Sequence, residues 1–384
     1  MFTRRDFIGG LGASGAVSML AGCRTGMPLA QRPDGSKLVW GTLVHLGTNM
    51  WEDWVPGGAY LKSAEEETRL VAEGKIKYHD KSRLYVMRDY MSVDWPTWDA
   101  DIACVRSSGL NTVFVDLGEA YAFPSHPELH VKGSLGPDAL KSVIARIRAQ
   151  GMTVLPKLNF STGHDQWLRE YHWMTGTAKY RQVVGDLIRD VCEVFDRPKY
   201  FHIGYDEESY ACVKDRELIV LRQGESWWRD FNACVADVLK NGSRPIMWSD
   251  KICHGREEFL KRAPRDVVMM TWYYGSDFSA GNTAWDASFE RKTDWSIQRN
   301  LAASIPALAE AGFDLMPCTS NWSEDGAAEA MLAYCSQSID SKRILGYLTA
   351  PWMKPVAADS PRFQKGIRLF DEARKRHFRG LQQV

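Results

Sequence analysis

The sequence predicts a (β/α)8 TIM barrel of the α/β class, built as a single domain with an insertion after its first strand. Short runs rich in β-branched and aromatic residues alternate with stretches of helical periodicity. Residues 38–384 have a length that suits such a barrel. A doubly wound open sheet is the alternative, but no glycine-rich phosphate loop follows the first strand.

The predicted elements follow one another in strict alternation. The strands are Leu38–His45, Thr112–Asp116, Thr153–Leu158, Tyr200–Gly204, Pro245–Trp248, Val267–Trp272, Leu315–Thr319 and Ile344–Thr349. The helices are Trp95–Ser108, Pro137–Gln150, Lys179–Phe195, Trp227–Lys240, Arg256–Arg262, Ile297–Ala311, Ala327–Ser338 and Pro361–Phe378. Gly151 and Gly312 occupy positions where glycine ends a helix. The charged, weakly periodic stretch from Val55 to Leu84 is predicted to be the insertion, packed over or beside the barrel mouth.

The first residues indicate export and lipidation. Arg4 and Arg5 precede a small, apolar stretch, as in a twin-arginine signal, and Leu20–Cys23 is typical of a lipobox. Residues 1–22 are therefore predicted to be a lipoprotein signal peptide, 23–37 a tether, and 38–384 the barrel. Lipid on Cys23 would be the only membrane contact, because no other stretch is apolar for long enough to span a bilayer. The predicted location is the periplasm or cell envelope.

Composition excludes several classes of partner and site. Lys and Arg total 48, as do Asp and Glu, so no basic excess favours nucleic acid. The scattered cysteines lack any Cys-x-x-Cys pair and are expected to be buried free thiols. His126 and His130 enclose Glu128, but Pro127 argues against the helix that a zinc pair needs. We predict no metal and no cofactor.

The carboxyl ends of the strands, where barrel active sites lie, carry acids or aromatic rings almost throughout. In chain order these residues are Asn49, Trp51, Asp116, Glu119, Asn159, His164, Asp206, Glu207, Trp248, Asp250, Trp272, Tyr273, Tyr274, Asn321, Trp322, Glu324 and Trp352. Asp116 and Glu119 are interpreted either as ligands of sugar hydroxyls or as caps of the following loop. Tryptophan is abundant, with 15 residues, which suits either a bulky core or a surface that stacks on sugar rings.

Three acids, Asp206 to Glu208, directly follow the fourth strand. Charge repulsion and burial are expected to raise the pKa of one acid while a neighbour stays ionised, as a general acid beside a stabilising carboxylate requires. Adjacent strand residues point to opposite faces, so Asp206 and Glu207 can share a site only if the strand bends or ends there. A solvated acidic loop that begins the next helix is the alternative.

The segment His202–Glu207 resembles the His-x-Gly-Gly-Asp-Glu element of glycoside hydrolase family 20, the β-N-acetylhexosaminidases. Other segments follow in that family's order. Val154–Asn159 through His164 is similar to its Pro-Glu-x-Asp-x-Pro-Gly-His strand, and Met247–Asp250 to its Trp-acid pair. Thr271-Trp272 and Leu345–Trp352 are similar to its later strands. The resemblance covers most of residues 100–355.

The resemblance implies retaining, substrate-assisted hydrolysis of β-linked N-acetylhexosamine-type sugars. Glu207 would protonate the leaving oxygen, and Asp206 would hold the 2-acetamido nitrogen. The implied substrate-binding residues are His164, Asn159, Trp248, Asp250, Trp272, Tyr274, Trp322 and Trp352. The tryptophans would wall the sugar site, and Tyr274 or Tyr273 would donate a hydrogen bond to the acetamido oxygen.

The sequence also departs from the family pattern. Gly41–Trp51 contains no arginine, Lys354 replaces the acid after the last tryptophan, and Tyr205 replaces the second glycine. Lys157 and Asn159 stand where the family has Glu and Asp.

Two alternatives therefore stay open. One is a two-carboxylate retaining glycosidase that uses Glu207 with Glu324, for which the carboxyl groups should lie about 5–5.5 Å apart. The other is a lipid-anchored carbohydrate-binding protein without turnover.

Overall fold

The structure is a computed structural model that describes residue 32 and residues 35–54, 57–58, 60–75 and 87–379. The predicted signal peptide, Cys23 and most of the predicted tether lie outside these residues. Within the described ranges, no helix combines the length and the apolar character needed to cross a membrane.

Eight parallel strands form the barrel, which confirms the predicted fold class. They are β1 Val39–His45, β2 Thr112–Asp116, β3 Thr153–Lys157, β4 Tyr200–His202, β5 Arg244–Trp248, β6 Val268–Met270, β7 Cys318–Thr319 and β8 Gly346–Thr349. Their order in the sheet is β6-β5-β4-β3-β2-β1-β8-β7. Single parallel bridges, Met269 to Leu315 and Trp272 to Cys318, join the two outer strands and close the barrel.

Helices occupy the connections between the strands, at or within a few residues of the predicted bounds. The α-helices are Ala64–Ala72, Trp95–Ser107, Pro137–Arg148, Ala178–Val194, Tyr210–Val213, Gly224–Lys240, Arg256–Arg262, Ala280–Thr283, Leu301–Glu310, Ala327–Ser338 and Ser360–His377. Short 3-10 helices are Asn49–Trp51, Gly118–Ala120, Pro127–Leu129, Gln166–Met174, Asp250–His254, Ala287–Phe289 and Trp295–Asn300. Gly151 and Gly312 have φ values of 80° and 86°, the left-handed conformation expected of helix-ending glycines.

Six of the eight predicted strands are shorter in the structure, the fourth, sixth and seventh among them. The fourth ends at His202 because Gly204 enters the left-handed region at φ 76°. The seventh keeps only Cys318–Thr319, with Leu315 in isolated bridges, since Pro317 has no N–H to donate to the ladder. The sixth, Val268–Met270, is likewise reduced to its centre.

Tryptophan fills much of the core between the barrel and its helices. Trp98, Trp167 and Trp227 are among the largest fully buried side chains. The seven cysteines after Cys23 are free thiols, five of them buried, as the sequence predicts. Bulk in the core therefore accounts for a share of the tryptophan count.

The described part of the insertion packs at the end of β1. Its helix Ala64–Ala72 places Glu67 against Arg88, whose buried guanidinium also pairs with Glu52 at 2.9 Å. The Asn49 side chain accepts a hydrogen bond from the backbone N–H of Arg88 at 2.9 Å. These contacts fix the insertion beside the mouth of the barrel.

A buried carboxylate holds the turn after β1. Glu119 accepts hydrogen bonds from the backbone N–H groups of Thr48, at 2.7 Å, and Asn49, at 3.0 Å. Burial raises the pKa of Glu119 to about 7, and these two donors oppose that rise only in part. Glu119 therefore caps the turn after β1, a different segment from the following loop that the sequence argument named.

We expect Glu119→Gln to reduce the loss of stability with rising pH. The pKa of Glu119 rises on folding from 4.5 to about 7, so its contribution is complete below pH 4.5 and lost as pH rises through 7. That loss is on the order of 3 kcal/mol, and glutamine does not ionise. Unfolding free energies at pH 5 and pH 8 test this. From pH 5 to pH 8, the parent should lose more unfolding free energy than the variant. Equal losses would contradict the assignment. Exposed Glu257→Gln is the control, for which losses equal to those of the parent are expected.

Candidate active site

A reversal of the backbone after β4 brings Asp206 and Glu207 into one site. Tyr205 and Glu207 have φ values of 72° and 58°, which side chains other than glycine rarely adopt. His164 Nε2 lies 3.1 Å from Glu207 Oε2 and 3.4 Å from Asp206 Oδ2. Both acids are buried, with exposures of 2% and 5%. The bend required by the sequence argument is present, and the solvated-loop alternative for these two acids is wrong.

Asn159, at the end of β3, fixes the orientation of Asp206. Its Nδ2 donates to Asp206 Oδ1 at 2.8 Å, and its Oδ1 accepts from the backbone N–H of Ser161 at 3.0 Å. A Cβ on Gly204 would lie 2.0 Å from Asn159 Oδ1, so only glycine fits there. The sequence predicts that Asn159 binds substrate, whereas its contacts are those of a residue that positions the acid.

A buried ion pair that sequence reasoning missed holds the strained turn from behind. Arg222 pairs with Glu208, donates to Phe160 O at 2.7 Å and to the Tyr205 hydroxyl at 3.2 Å. Its guanidinium also stacks on the Tyr205 ring, 4.6 Å from the centroid. Glu208 therefore pairs with Arg222 and lies apart from the acid pair. The contacts of Arg222 stabilise Tyr205 at the position where the family has its second glycine.

Burial and neighbouring charges shift two pKa values around the acid pair. Burial alone would lower the pKa of His164, but the carboxylates of Asp206 and Glu207 raise it to about 9, so this imidazole is protonated at neutral pH. Burial, together with the negative charge of Asp206, raises the pKa of Asp250 to about 7. Asp250 Oδ2 accepts the backbone N–H of Glu207 at 2.8 Å. The sequence predicts that Asp250 binds substrate, whereas its carboxyl group contacts the backbone of the acid.

Four of the predicted aromatic residues lie together at the ends of β5, β6 and β8. The Trp248 and Trp352 rings are 5.8 Å apart, and Trp272 lies 5.3 Å from Tyr274. Trp352 donates its indole N–H to the Tyr274 hydroxyl at 2.8 Å. A phenol oxygen that accepts still carries its own O–H, the group that donation to an acetamido oxygen requires.

Trp322 and Glu324, which follow the seventh strand, contact residues other than the acid pair. Trp322 lies under the guanidinium of Arg362, 5.0 Å from its ring centroid. Glu324 accepts a hydrogen bond from the backbone N–H of Ser276 at 3.1 Å, at an exposed position. Buried Glu207 contacts His164, whereas Glu324 contacts Ser276 in the loop after β6, which favours Asp206 over Glu324 as the partner of Glu207.

Polar residues also fill the barrel interior beneath the acids. Lys157 Nζ lies 2.6 Å from Asp116 Oδ2, and His45 Nδ1 lies 3.2 Å from the same oxygen. Burial lowers the pKa of His45, so it is neutral at pH 7. Lys157 and Asp116 are fully buried and neutralise one another. Their pairing explains how a lysine is tolerated where the family has an acid, and it uses one carboxylate oxygen of Asp116.

The His126 and His130 pair is used structurally. His126 Nδ1 lies 2.8 Å from Glu128, and its Nε2 lies 3.5 Å from Asp186. His130 contacts the carbonyl oxygen of Phe123 at 3.0 Å. The two imidazoles therefore have separate partners.

The ligand atoms of His164, Asp206 and Glu207 all lie within 4.8 Å of one another, a spacing that can hold a metal ion. A protonated histidine, however, has a proton on each ring nitrogen and no lone pair for a metal. Without a metal, the raised pKa of His164 favours an ion pair with the two acids. That the site uses no metal stays a prediction.

Comparison with known proteins gives one family. The sequence pattern of Glycosyl hydrolase family 20, catalytic domain, matches residues 145–287. Over these residues the chain is similar to the family. The matched stretch contains His164, Asp206, Glu207, Asp250 and Trp272, so family 20 similarity is concentrated where the acid pair is built.

Individual relatives are distant. Beta-hexosaminidase 1 of Coccidioides posadasii (strain RMSCC 757 / Silveira) is 25% identical over 36% of this chain and 29% of its own length. Beta-hexosaminidase of Emericella nidulans is 22% identical over 44% of this chain and 35% of its own. The chain thus matches about a third of each. The β-N-acetylhexosaminidase from Bacteroides fragilis NCTC 9343 has a TM-score of 0.52 at 12% identity, over 86% of this chain and 65% of its own, which shows the shared fold.

Proposed function

We propose that this protein is a retaining β-N-acetylhexosaminidase that works by substrate assistance. The observation that supports this best is the convergence of Asp206 and Glu207 on His164, in a family 20-like barrel. A general acid and a separate stabilising carboxylate, held within one buried site, are the groups that this chemistry needs.

In the first step, the carbonyl oxygen of the 2-acetamido group attacks the anomeric carbon. The glycosidic bond breaks, and its oxygen takes the proton of Glu207. Asp206 accepts a hydrogen bond from the acetamido N–H and balances the positive charge of the oxazolinium ring. Water then attacks the anomeric carbon from the face that the leaving group vacated, gives its proton to Glu207, and restores the acetamido group. Asn159 and Asp250 keep the two carboxylates in place.

The aromatic residues supply the walls of the sugar site in this proposal. Trp272 and Trp352 offer flat faces on which the C–H groups of a sugar ring pack, and fully buried Trp248 supports the Trp352 ring from behind. Tyr274, held by Trp352, donates to the acetamido oxygen and aims it at the anomeric carbon. This arrangement serves an uncharged sugar.

A panel of aryl β-glycosides tests the proposal. The purified protein should hydrolyse the N-acetylglucosaminide or N-acetylgalactosaminide and leave the plain glucoside nearly untouched. Equal turnover of the plain glucoside would favour the two-carboxylate alternative, and saturable binding of all sugars without turnover would favour the carbohydrate-binding alternative.

Asp250→Asn should move the alkaline limb of the kcat/KM pH profile to lower pH. Above pH 7 the Asp250 carboxyl is largely ionised, and it then places beside the acid pair a negative charge that opposes further loss of protons from the site. Asparagine lacks the charge but keeps an oxygen for the Glu207 N–H. Below pH 7 the side chain at position 250 carries little charge in either protein, so the acidic limbs of the two kcat/KM profiles should overlap. An alkaline limb that stays in place, measured over pH 4–10 buffers, would remove Asp250 from this role.

We also propose that the protein is exported and held in the cell envelope by lipid on Cys23. Residues 20–23 and the paired arginines before them support this proposal. Cys23→Ser should move the protein from the detergent phase to the aqueous phase on Triton X-114 partitioning of cells. Unchanged partitioning would contradict the anchor.

A further inference from the structure

Exposed apolar side chains are concentrated beside the acid pair. Among the described residues, five large hydrophobic side chains are exposed: Tyr210 (52%), Leu218 (43%), Ile219 (41%), Leu239 (40%) and Val71 (39%). Single exposed apolar residues are common on any surface. Here, however, three of the five fall in the segment from Tyr210 to Ile219, which directly follows the acid motif. We call this segment the β4 loop.

The β4 loop is fastened across the mouth of the barrel. Arg216 donates to the backbone oxygens of Glu52 and Gly163, each at 2.7 Å. The backbone N–H of Glu217 donates to Asp53 Oδ2 at 2.9 Å. The loop is thereby tied to the segments after β1 and β3, the second of which carries His164. Leu218 and Ile219 follow these anchors directly in the chain, and both are exposed.

Tyr210 lies close to the acid along the chain. The Ser209 backbone N–H donates to the Glu207 carbonyl oxygen at 2.8 Å, which folds the chain into a tight turn. Tyr210 is the next residue and begins a short helix whose Ala211 and Val213 are buried. Three residue steps limit the Cα separation of Tyr210 and Glu207 to about 11 Å. A group attached to the oxygen that Glu207 protonates therefore starts within reach of the β4 loop.

We infer that Tyr210, Leu218 and Ile219 form an apolar surface that binds the leaving group of the substrate, and that the preferred leaving groups are alkyl or aryl aglycones. The inference rests on the proposed function. Leucine and isoleucine side chains have no hydrogen-bonding atoms for sugar hydroxyls, but they gain from covering a hydrocarbon. Because Arg216 already fixes the loop, the surface is preformed and binding needs little ordering of the chain.

The test compares methyl and butyl β-N-acetylglucosaminides, whose leaving alcohols have similar acidity but differ by three CH₂ groups. The parent protein should show kcat/KM on the order of tenfold higher for the butyl glycoside, if each CH₂ is about half buried. In the triple variant Tyr210→Ser, Leu218→Ser, Ile219→Ser, this ratio should fall to about one, with the methyl glycoside hydrolysed as before. The control is Leu239→Ser, which removes an equally exposed leucine and should keep the parent ratio.

The outcomes separate this inference from the proposed function. A parent that hydrolyses both glycosides at the same rate, or a triple variant that keeps the butyl preference, overturns the inference alone. A disaccharide of N-acetylglucosamine that is hydrolysed better than the butyl glycoside by both proteins also overturns it, because the leaving-group surface then accommodates a sugar. A parent that hydrolyses no N-acetylhexosaminide at all overturns both.

Discussion

Glu207→Gln is expected to lower kcat/KM by roughly 10²- to 10⁴-fold on an alkyl N-acetylglucosaminide. Glutamine keeps the size of the side chain but has no proton to give to the leaving oxygen. The loss should be smaller with a nitrophenyl leaving group, since a stable phenolate departs without protonation. Steady-state rates on both substrates measure this dependence.

Glu324→Gln is the matched control. It removes another carboxylate at the carboxyl ends of the strands, one whose backbone-donor partner is Ser276. We expect kcat/KM within about twofold of the parent, as for an ordinary surface substitution. A loss as large as that of Glu207→Gln would make Glu324 a nucleophile and contradict substrate assistance.

Asp206→Asn is expected to lower kcat by roughly 10²- to 10³-fold while KM changes little. The amide can still accept the hydrogen bond of Asn159, but it cannot balance the charge that develops on the oxazolinium ring. An interaction made only in the transition state affects kcat and leaves ground-state binding in place.

A loss in KM alone would show that Asp206 binds substrate without stabilising the transition state. Thermal unfolding of the variant separates a misplaced acid from a misfolded barrel. A cooperative unfolding transition should remain, because the substitution keeps the side-chain volume, at a temperature lowered by the loss of the buried ion pair with His164.

Much of the scaffold is predictable because its signals are local. The strand Thr112–Asp116 and the helix Ala327–Ser338 have the bounds that the sequence predicts, since hydrophobic periodicity is read within a short window. A barrel brings the ends of its strands together, and so the sequence already groups His164 with Asp206 and Glu207.

The side-chain contacts that hold the site in position are not predictable in this way, because they join residues far apart in the chain. Arg222 meets Glu208 and Tyr205 only after the connection that follows β4 has folded back. Arg216 reaches Glu52, 164 residues earlier. No periodic pattern marks such pairs, and each side chain alone resembles an ordinary surface arginine.

The tryptophans illustrate the same limit. Trp248, Trp272 and Trp352 lie at the carboxyl ends of their strands near one another or Tyr274, whereas Trp322 lies under Arg362 of the last helix. A position after a strand gives the end of the barrel on which a residue lies. The direction of its side chain depends on the packing of the helix outside.

The most direct test of substrate assistance compares aryl N-acetyl- and N-trifluoroacetyl-β-glucosaminides. Fluorine withdraws electrons from the carbonyl oxygen and weakens it as the nucleophile, while the glycosidic bond and leaving group stay the same. We predict that kcat falls by about 100-fold or more, which corresponds to about 2.7 kcal/mol of activation free energy. Equal rates for the two substrates would show that the acetamido oxygen takes no part in the reaction, and would contradict the mechanism proposed for Asp206 and Glu207.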